Sequence, residues 1–192
     1  MHQERYRQEL RAFIADVWPG RESALVFGEG PASPRLMLVG EAPGEQETLL
    51  GRPFVGKAGK NLDHFLELAA LAREEIYVTN AVKLRPTKVG KSGRVSNRPP
   101  TKDEVALFHP WLMREIAEIR PRLVATLGNV PLRALLGGKE TIGQVHGQML
   151  RISGADLPLI PLYHPASLIY NRSLEDVYER DVIALAERLR AL

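Results

Sequence analysis

Four short apolar runs recur along the chain: RLMLVG at 35–40, IYVTNAV at 76–82, RLVATLG at 122–128 and LPLIPLYHP at 157–165. Each is near-continuous in apolar residues rather than alternating. A strand reads that way when both faces of its sheet are covered. Helical spacing fills the intervals, in GKNLDHFLELAALA (59–72, with Leu62, Phe65, Leu66 and Ala69 on one face), TKDEVALFHPWLMREIAEI (101–119) and PLRALLG after Gly128. The N-terminal segment and SLEDVYERDVIALAERLRAL complete the helical set. The latter is expected to open on a capping box from Ser173 to Asp176, with Val177, Val182, Leu185 and Leu189 as its apolar stripe. Alternating strand and helix units predict one α/β domain over residues 1–192, a three-layer α/β/α sandwich around a mainly parallel four-stranded sheet.

Ligands of such sheets bind beyond the carboxyl ends of the strands. The segments leaving the four runs are GEAPGEQE, NAVKLRP, GNVPLR and HPASLIYN. Glu41, Asn80, Asn129 and His164 are therefore expected to converge on one rim. The remaining long segment, Lys83 to Pro100, is basic, contains no acidic residue and has no apolar period. It is expected as an irregular surface loop suited to phosphate contacts.

Composition removes several chemistries. The chain has no cysteine, so disulfides, thiolate nucleophiles and cysteine-held metal clusters are excluded. A formal charge of +3 is compatible with an anionic partner. The N-terminus, MHQERYRQELRAFIADV, lacks the apolar core of a signal peptide, and no apolar run approaches a membrane span. A soluble, cytoplasmic protein is expected.

Glycines behind the first strand suggest a nucleotide turn, but GEAPGEQE is not GxGxxG, and no GxxxxGK[ST] occurs. Its three carboxylates, Glu41, Glu45 and Glu47, would repel a pyrophosphate. Pro43 and Gly44 instead predict a tight turn that aims Glu41 into the cleft.

Taken in order, VGEAPGEQE, GRPFVGKAG, TNAVKLRP, NRPPT and YHPASLIYN resemble the uracil-DNA glycosylase superfamily, most closely its family 4 branch, from about Gly28 to the C-terminus. The resemblance implies a monofunctional glycosylase of base-excision repair that flips uracil out of DNA and hydrolyses its N-glycosidic bond. It implies that Phe54 stacks on the flipped base and that Asn80 reads its edge, an amide being able to donate to O4 and accept from N3–H together. His164 would donate near O2, where negative charge develops on the leaving base. Glu41 is the first candidate to orient the attacking water, with Glu45 and Glu47 as alternatives. Gly40, Ala42 and Gly44 would complete the pocket. Pro43, Lys83, Arg85, Ser167, Tyr170 and Asn171 would contact DNA, with Leu168 and Ile169 as a wedge in the minor groove. Taken alone, these residue types also suit ordinary roles: Phe54 in a core, Asn80 capping a turn, Glu41 capping backbone, and Leu168 with Ile169 packing a helix start.

The chain departs from family 4 in two respects. That branch holds a [4Fe–4S] cluster on four cysteines; Leu84 and Phe108 stand at two of those positions and the N-terminal pair is missing, so no such cluster, and no cofactor, is expected. Packing is expected to hold this region instead. Tyr170 replaces an arginine of the commoner pattern HPAxLxRN, which removes a charge near the DNA. The basic segment lacks the histidine with which a related branch traps the sugar covalently, and His109 and His146 read as structural. The expected partner is uracil-containing DNA, with no membrane, and the expected state is a monomer. Two other readings stay open: a glycosylase for another deaminated base such as hypoxanthine or xanthine, and a catalytically silent DNA- or uracil-binding homologue.

Overall fold

The computed structural model describes residues 2–165, 167 and 171–192, side chains at 2, 57 and 58 excepted. In chain order the elements are α1 (His2–Val17), β1 (Leu36–Gly40), α2 (Glu45–Leu50), α3 (Lys57–Ala69), β2 (Ile76–Asn80), β3 (Thr87–Val89), β4 (Val95–Asn97), α4 (Lys102–Ile119), β5 (Leu123–Leu127), α5 (Asn129–Leu136), α6 (Ile142–Val145), β6 (Leu150–Arg151), β7 (Pro158–Leu162) and α7 (Glu175–Ala191). The four expected runs form β1, β2, β5 and β7, all parallel to their neighbours in the order β2-β1-β5-β7. A fifth, two-residue strand, β6, pairs antiparallel with β7 at the edge, so the sheet has five strands rather than four.

Both faces of the sheet are covered, which accounts for the continuous apolar runs. Leu36 and Leu38 of β1 join a cluster with Leu62 and Phe65 of α3 and Tyr178 and Leu185 of α7. Met37 and Val39, pointing the other way, join Leu112 and Ile116 of α4 and Leu132 of α5. Residue alternation along one strand thus feeds two cores. Among the described residues no helix is long and apolar enough to cross a membrane.

Two local expectations are corrected. The 83–100 segment is not irregular: Thr87–Val89 and Val95–Asn97 form an antiparallel hairpin in register Val89↔Val95, with Gly93 at positive φ in its turn. Its base is fixed by Arg98, which binds both oxygens of Glu104 at 2.6 and 2.7 Å. The capping box from Ser173 is also absent. Asn171 caps a 3-10 turn over Arg172–Leu174 instead, its Oδ1 accepting from the Ser173 amide and hydroxyl, and α7 begins after that turn.

The strand order dictates where a ligand can enter. From β1 the chain moves to β2 on one side and later returns to β5 on the other, so the loops after β1 and β5 diverge and leave a crevice at their carboxyl ends.

Candidate active site

A cavity of about 440 Å³ opens at that crevice, lined by the β1 loop, α2, Phe54, Asn80, Asn97 and His164. A second hollow of about 300 Å³, lined by Gly128, Asn129 and Ser167 among others, shares Glu41 and His164 with it. Glu41, Asn80 and His164 therefore meet at one site from three strand ends. Asn129 reaches only the second hollow, and its Oδ1 is spent on the Ile142 amide at 2.8 Å.

The ladder between β1 and β2 sets the register of the two motifs. Gly40 pairs with Asn80, and the amides of Ala81 and Val82 continue the ladder onto the carbonyls of Gly40 and Glu41 at 2.8 and 3.1 Å. A Cβ at Gly40 would lie 2.4 Å from Asn80 Oδ1 and 2.8 Å from Phe54 Cζ. The glycine thus leaves the space between the amide and the ring. Among the described residues nothing hydrogen-bonds the Asn80 carboxamide, although the residue is buried. Phe54 lines the cavity while also packing on the α3 side of the core.

Phe54 has φ +55, a left-handed conformation that costs a non-glycine residue about 1–3 kcal/mol. Three contacts hold it there. Glu47 Oε1 accepts from the amides of Val55 and Gly56 at 3.2 and 3.0 Å, the Arg52 amide donates to the Glu47 carbonyl, and the absence of a side chain at Gly59 lets the Phe54 carbonyl come close, where a Cβ would lie 2.7 Å away. Of the glycines of GRPFVGKAG, it is Gly59 that serves this approach.

The three carboxylates of GEAPGEQE differ in surroundings. Glu47 is buried and committed to backbone amides. Glu45 is exposed and paired with Arg85 at 3.2 Å. Glu41 is half-buried at the junction of the two hollows, no described residue donates to its carboxylate, and desolvation raises its pKa. Burial likewise lowers the pKa of His164, favouring neutral imidazole. Gly128, at φ +88, lies against that histidine: a Cβ there would stand 3.2 Å from His164 Cβ.

Several expected DNA contacts take other places. Lys83 is 0% exposed and ion-paired with Glu115 at 2.5 Å, so it has no path to a phosphate. Pro43 is buried, and the tight turn expected with Gly44 is absent, since Gly44 is the extended N-cap of α2. Arg85 bridges α2 and the hairpin, donating from Nε to Asn97 Oδ1 at 2.7 Å as well as to Glu45. Ser167 lines the second hollow, and its amide donates to the His164 carbonyl. Asn171 is exposed, with Oδ1 occupied by its turn. Leu168, Ile169 and Tyr170 lie outside the described residues. Lys88, Lys91 and Arg94 on the hairpin are exposed. Asn97 was not singled out from the sequence, although NRPPT contains it; only the hairpin fold brings it to the cavity.

Where an iron–sulfur cluster would stand in family 4, the residues do not fit one. Leu84 and Phe108 are buried in an apolar cluster with Tyr6, Leu10 and Ile14 of α1 and with Leu25, Phe27 and Val82. Trp18 and Trp111 close its margin. These side chains offer no thiolate, and they tie α1 to α4 by packing instead.

A family model described as the uracil DNA glycosylase superfamily matches residues 27–186. A type-4 uracil-DNA glycosylase of Saccharolobus solfataricus is 38% identical over 180 residues, covering 90% of this chain and 79% of that protein. That of Thermotoga maritima is 38% identical over 152 residues, 79% of this chain and 74% of that protein. The crystal structure of SMUG2 from Pedobacter heparinus shares the fold, with a TM-score of 0.58 at 14% identity over 83% of this chain and 77% of that one.

Proposed function

The chain belongs to the uracil DNA glycosylase superfamily, and from that premise we propose that it hydrolyses the N-glycosidic bond of uracil in DNA. The observation that carries the reading is the slot at Gly40, bounded on one side by the buried Asn80 carboxamide, which no described residue hydrogen-bonds, and on the other by an aromatic ring. A planar base that slides between them stacks on Phe54 and exchanges two hydrogen bonds with Asn80.

Chemistry follows from the same placement. Breaking the C1′–N1 bond leaves the electron pair on the base, where it delocalises to O2, and positive charge on the sugar. Neutral His164 donates an N–H toward O2 and stabilises the leaving anion. Water adds to C1′ from the side of Glu41, whose carboxylate faces the sugar cation and takes the water proton. A carboxylate with a raised pKa suits that acceptance. The uracil anion then takes a proton from solvent, so the products are uracil and an abasic sugar. Asn97, across the cavity and held by Arg85, is a second polar group positioned for the water.

The exposed cations of the hairpin suit the backbone of the DNA around the flipped nucleotide, in place of Lys83 and Pro43. The enzyme acts as a monomer in the cytoplasm, at the nucleoid. An end-labelled oligonucleotide with one uracil, incubated with the protein at low salt and then treated with alkali, is expected to break at that position from single strands and from U:G duplexes. No break with folded protein in excess refutes the reading. Breaks confined to hypoxanthine or xanthine in a parallel panel would replace uracil by that base, and tight binding without a break would make the protein a silent binder.

A further inference from the structure

Among the described residues Lys83 is a fully buried charged side chain that the chemistry above does not use. Its ammonium lies at the carboxyl end of β2, fully enclosed, and all three of its protons are engaged: by Glu115 Oε2 at 2.5 Å, by the Thr79 hydroxyl, and by the backbone carbonyl of Asn80 at 2.7 Å. Glu115, from α4, also accepts from the Tyr77 and Thr79 hydroxyls, each at 3.0 Å. The network thus fastens three positions near one strand end, Tyr77, Thr79 and Asn80, to a helix on one face of the sheet.

Burying such a pair is costly. Two charges withdrawn from water regain their solvation only if every lone pair and proton is satisfied, and apolar residues of the same size generally stabilise a fold as well or better. Desolvation accordingly lowers the Lys83 pKa, with Glu115 opposing that shift. The apolar cluster containing Leu84 and Phe108 is adjacent in sequence, so an apolar solution at residue 83 was open to this chain. What an apolar side chain does not supply is a donor for the Asn80 carbonyl. Strand β2 ends at Asn80, and past it the chain stays tied to β1 only through the amides of Ala81 and Val82, which bind the carbonyls of Gly40 and Glu41.

We infer that Lys83 is a positioning residue for Asn80, fixing the backbone of the strand end so that the carboxamide stands at the Gly40 slot in the orientation that reads the base. This rests on the base-reading role proposed for Asn80. The lysine does not touch the substrate and acts through the hydrogen bond to the Asn80 carbonyl, with Glu115 and Thr79 holding the ammonium in place.

The test is a cycle in which both charges are removed together. Lys83→Met/Glu115→Gln is neutral and keeps an acceptor for the Tyr77 and Thr79 hydroxyls. Single-turnover uracil excision is expected to fall about tenfold in this variant, and by less than twofold when the same change is made in an Asn80→Ala background, where there is no carboxamide left to position. Lys83→Gln/Glu115→Gln, which restores a donor, is expected to recover part of the rate; it also serves if the methionine variant does not fold. Equal losses in both backgrounds, or no loss in the first, would overturn the assignment and leave the pair a structural element.

A second measurement does not need activity. In ¹⁵N-labelled protein the Asn80 side-chain amide, assigned by its loss in Asn80→Ala, is expected as one sharp pair of signals that broadens or moves toward free-amide positions in Lys83→Met/Glu115→Gln. Unchanged signals contradict the inference. Should the wild-type protein fail to excise uracil while the amide signals respond as expected, the proposed reaction fails and the positioning role stands.

Discussion

Gly40→Ala tests the slot directly, because the steric outcome can be worked out before the experiment. Gly40 does not have a positive φ, so the substitution adds a methyl without backbone strain. That methyl would lie 2.8 Å from Phe54 Cζ and 2.4 Å from Asn80 Oδ1. Ordinary carbon contacts begin near 3.5 Å, so the ring or the amide must retreat by roughly 0.7–1 Å. Phe54 is held from behind by Glu47 and packed on the core, and the Asn80 backbone carbonyl is held by Lys83, so the side chains have room to give only toward the cavity. A displacement of about 1 Å in a reacting assembly costs on the order of 100-fold in rate. Overpacking of this kind costs about 1–3 kcal/mol of stability, roughly 2–12 °C in Tm for a chain of this size. The expected result is therefore a folded variant whose single-turnover uracil excision is about 100-fold slower, with little change in affinity for an abasic oligonucleotide, which does not fill the slot. Excision within about threefold of wild type, in a variant whose melting confirms the fold, would refute the claim that the base lies between these two groups.

Further outcomes follow from the same geometry. His164→Ala is expected to slow excision by about 10²–10³, the usual loss of a donor to a developing anion, and Asn80→Ala by orders of magnitude, both read in single-turnover assays. Glu47→Ala removes the acceptor for Val55 and Gly56 and should slow excision about tenfold while leaving abasic-DNA binding intact; equal loss of both would point to unfolding instead. The raised pKa of Glu41 means that its carboxylate is lost at a higher pH than an ordinary glutamate, so the acid limb of the rate profile should have its midpoint above 4.5. That limb is expected to persist in His164→Ala and to vanish in Glu41→Gln. Replacing Lys88, Lys91 and Arg94 together by alanine should lower the slope of log affinity against log salt by about 2–3, since each phosphate contact contributes just under one.

Much of the fold was legible because its signal is local. The continuous apolar runs could be satisfied only by strands covered on both faces, and the residues at their ends, Glu41, Asn80 and His164, were brought together by the sheet rule alone. The hairpin at 87–97 was not legible, since its strands are three residues each and only Val89 and Val95 are apolar, too short a pattern to separate from a loop. Asn97 was missed for the same reason. Lys83 was misread because a lysine in a basic segment looks solvated; its burial depends on Glu115, thirty-two residues away on another element. The capping box at Ser173 failed because Asn171, two residues earlier, offered a competing acceptor for the same amide.

The carboxylates of GEAPGEQE show why a motif fixes a site more readily than it assigns roles within it. All three belong to one seven-residue stretch, and nothing in that stretch distinguishes the partners they will meet. Val55 and Gly56 take Glu47, and because those amides follow a strained Phe54, that glutamate is tied to holding the ring. Arg85 takes Glu45, which stands exposed on the cavity wall with its charge paired to a cation. Glu41 is half-buried with no donor among the described residues, and burial makes its ionisation costly and a proton welcome. A carboxylate in that condition is poorly spent on stability. It gains most when a cation appears beside it, and on the proposed pathway the sugar supplies that cation only in the transition state, which is where a favourable interaction accelerates a reaction.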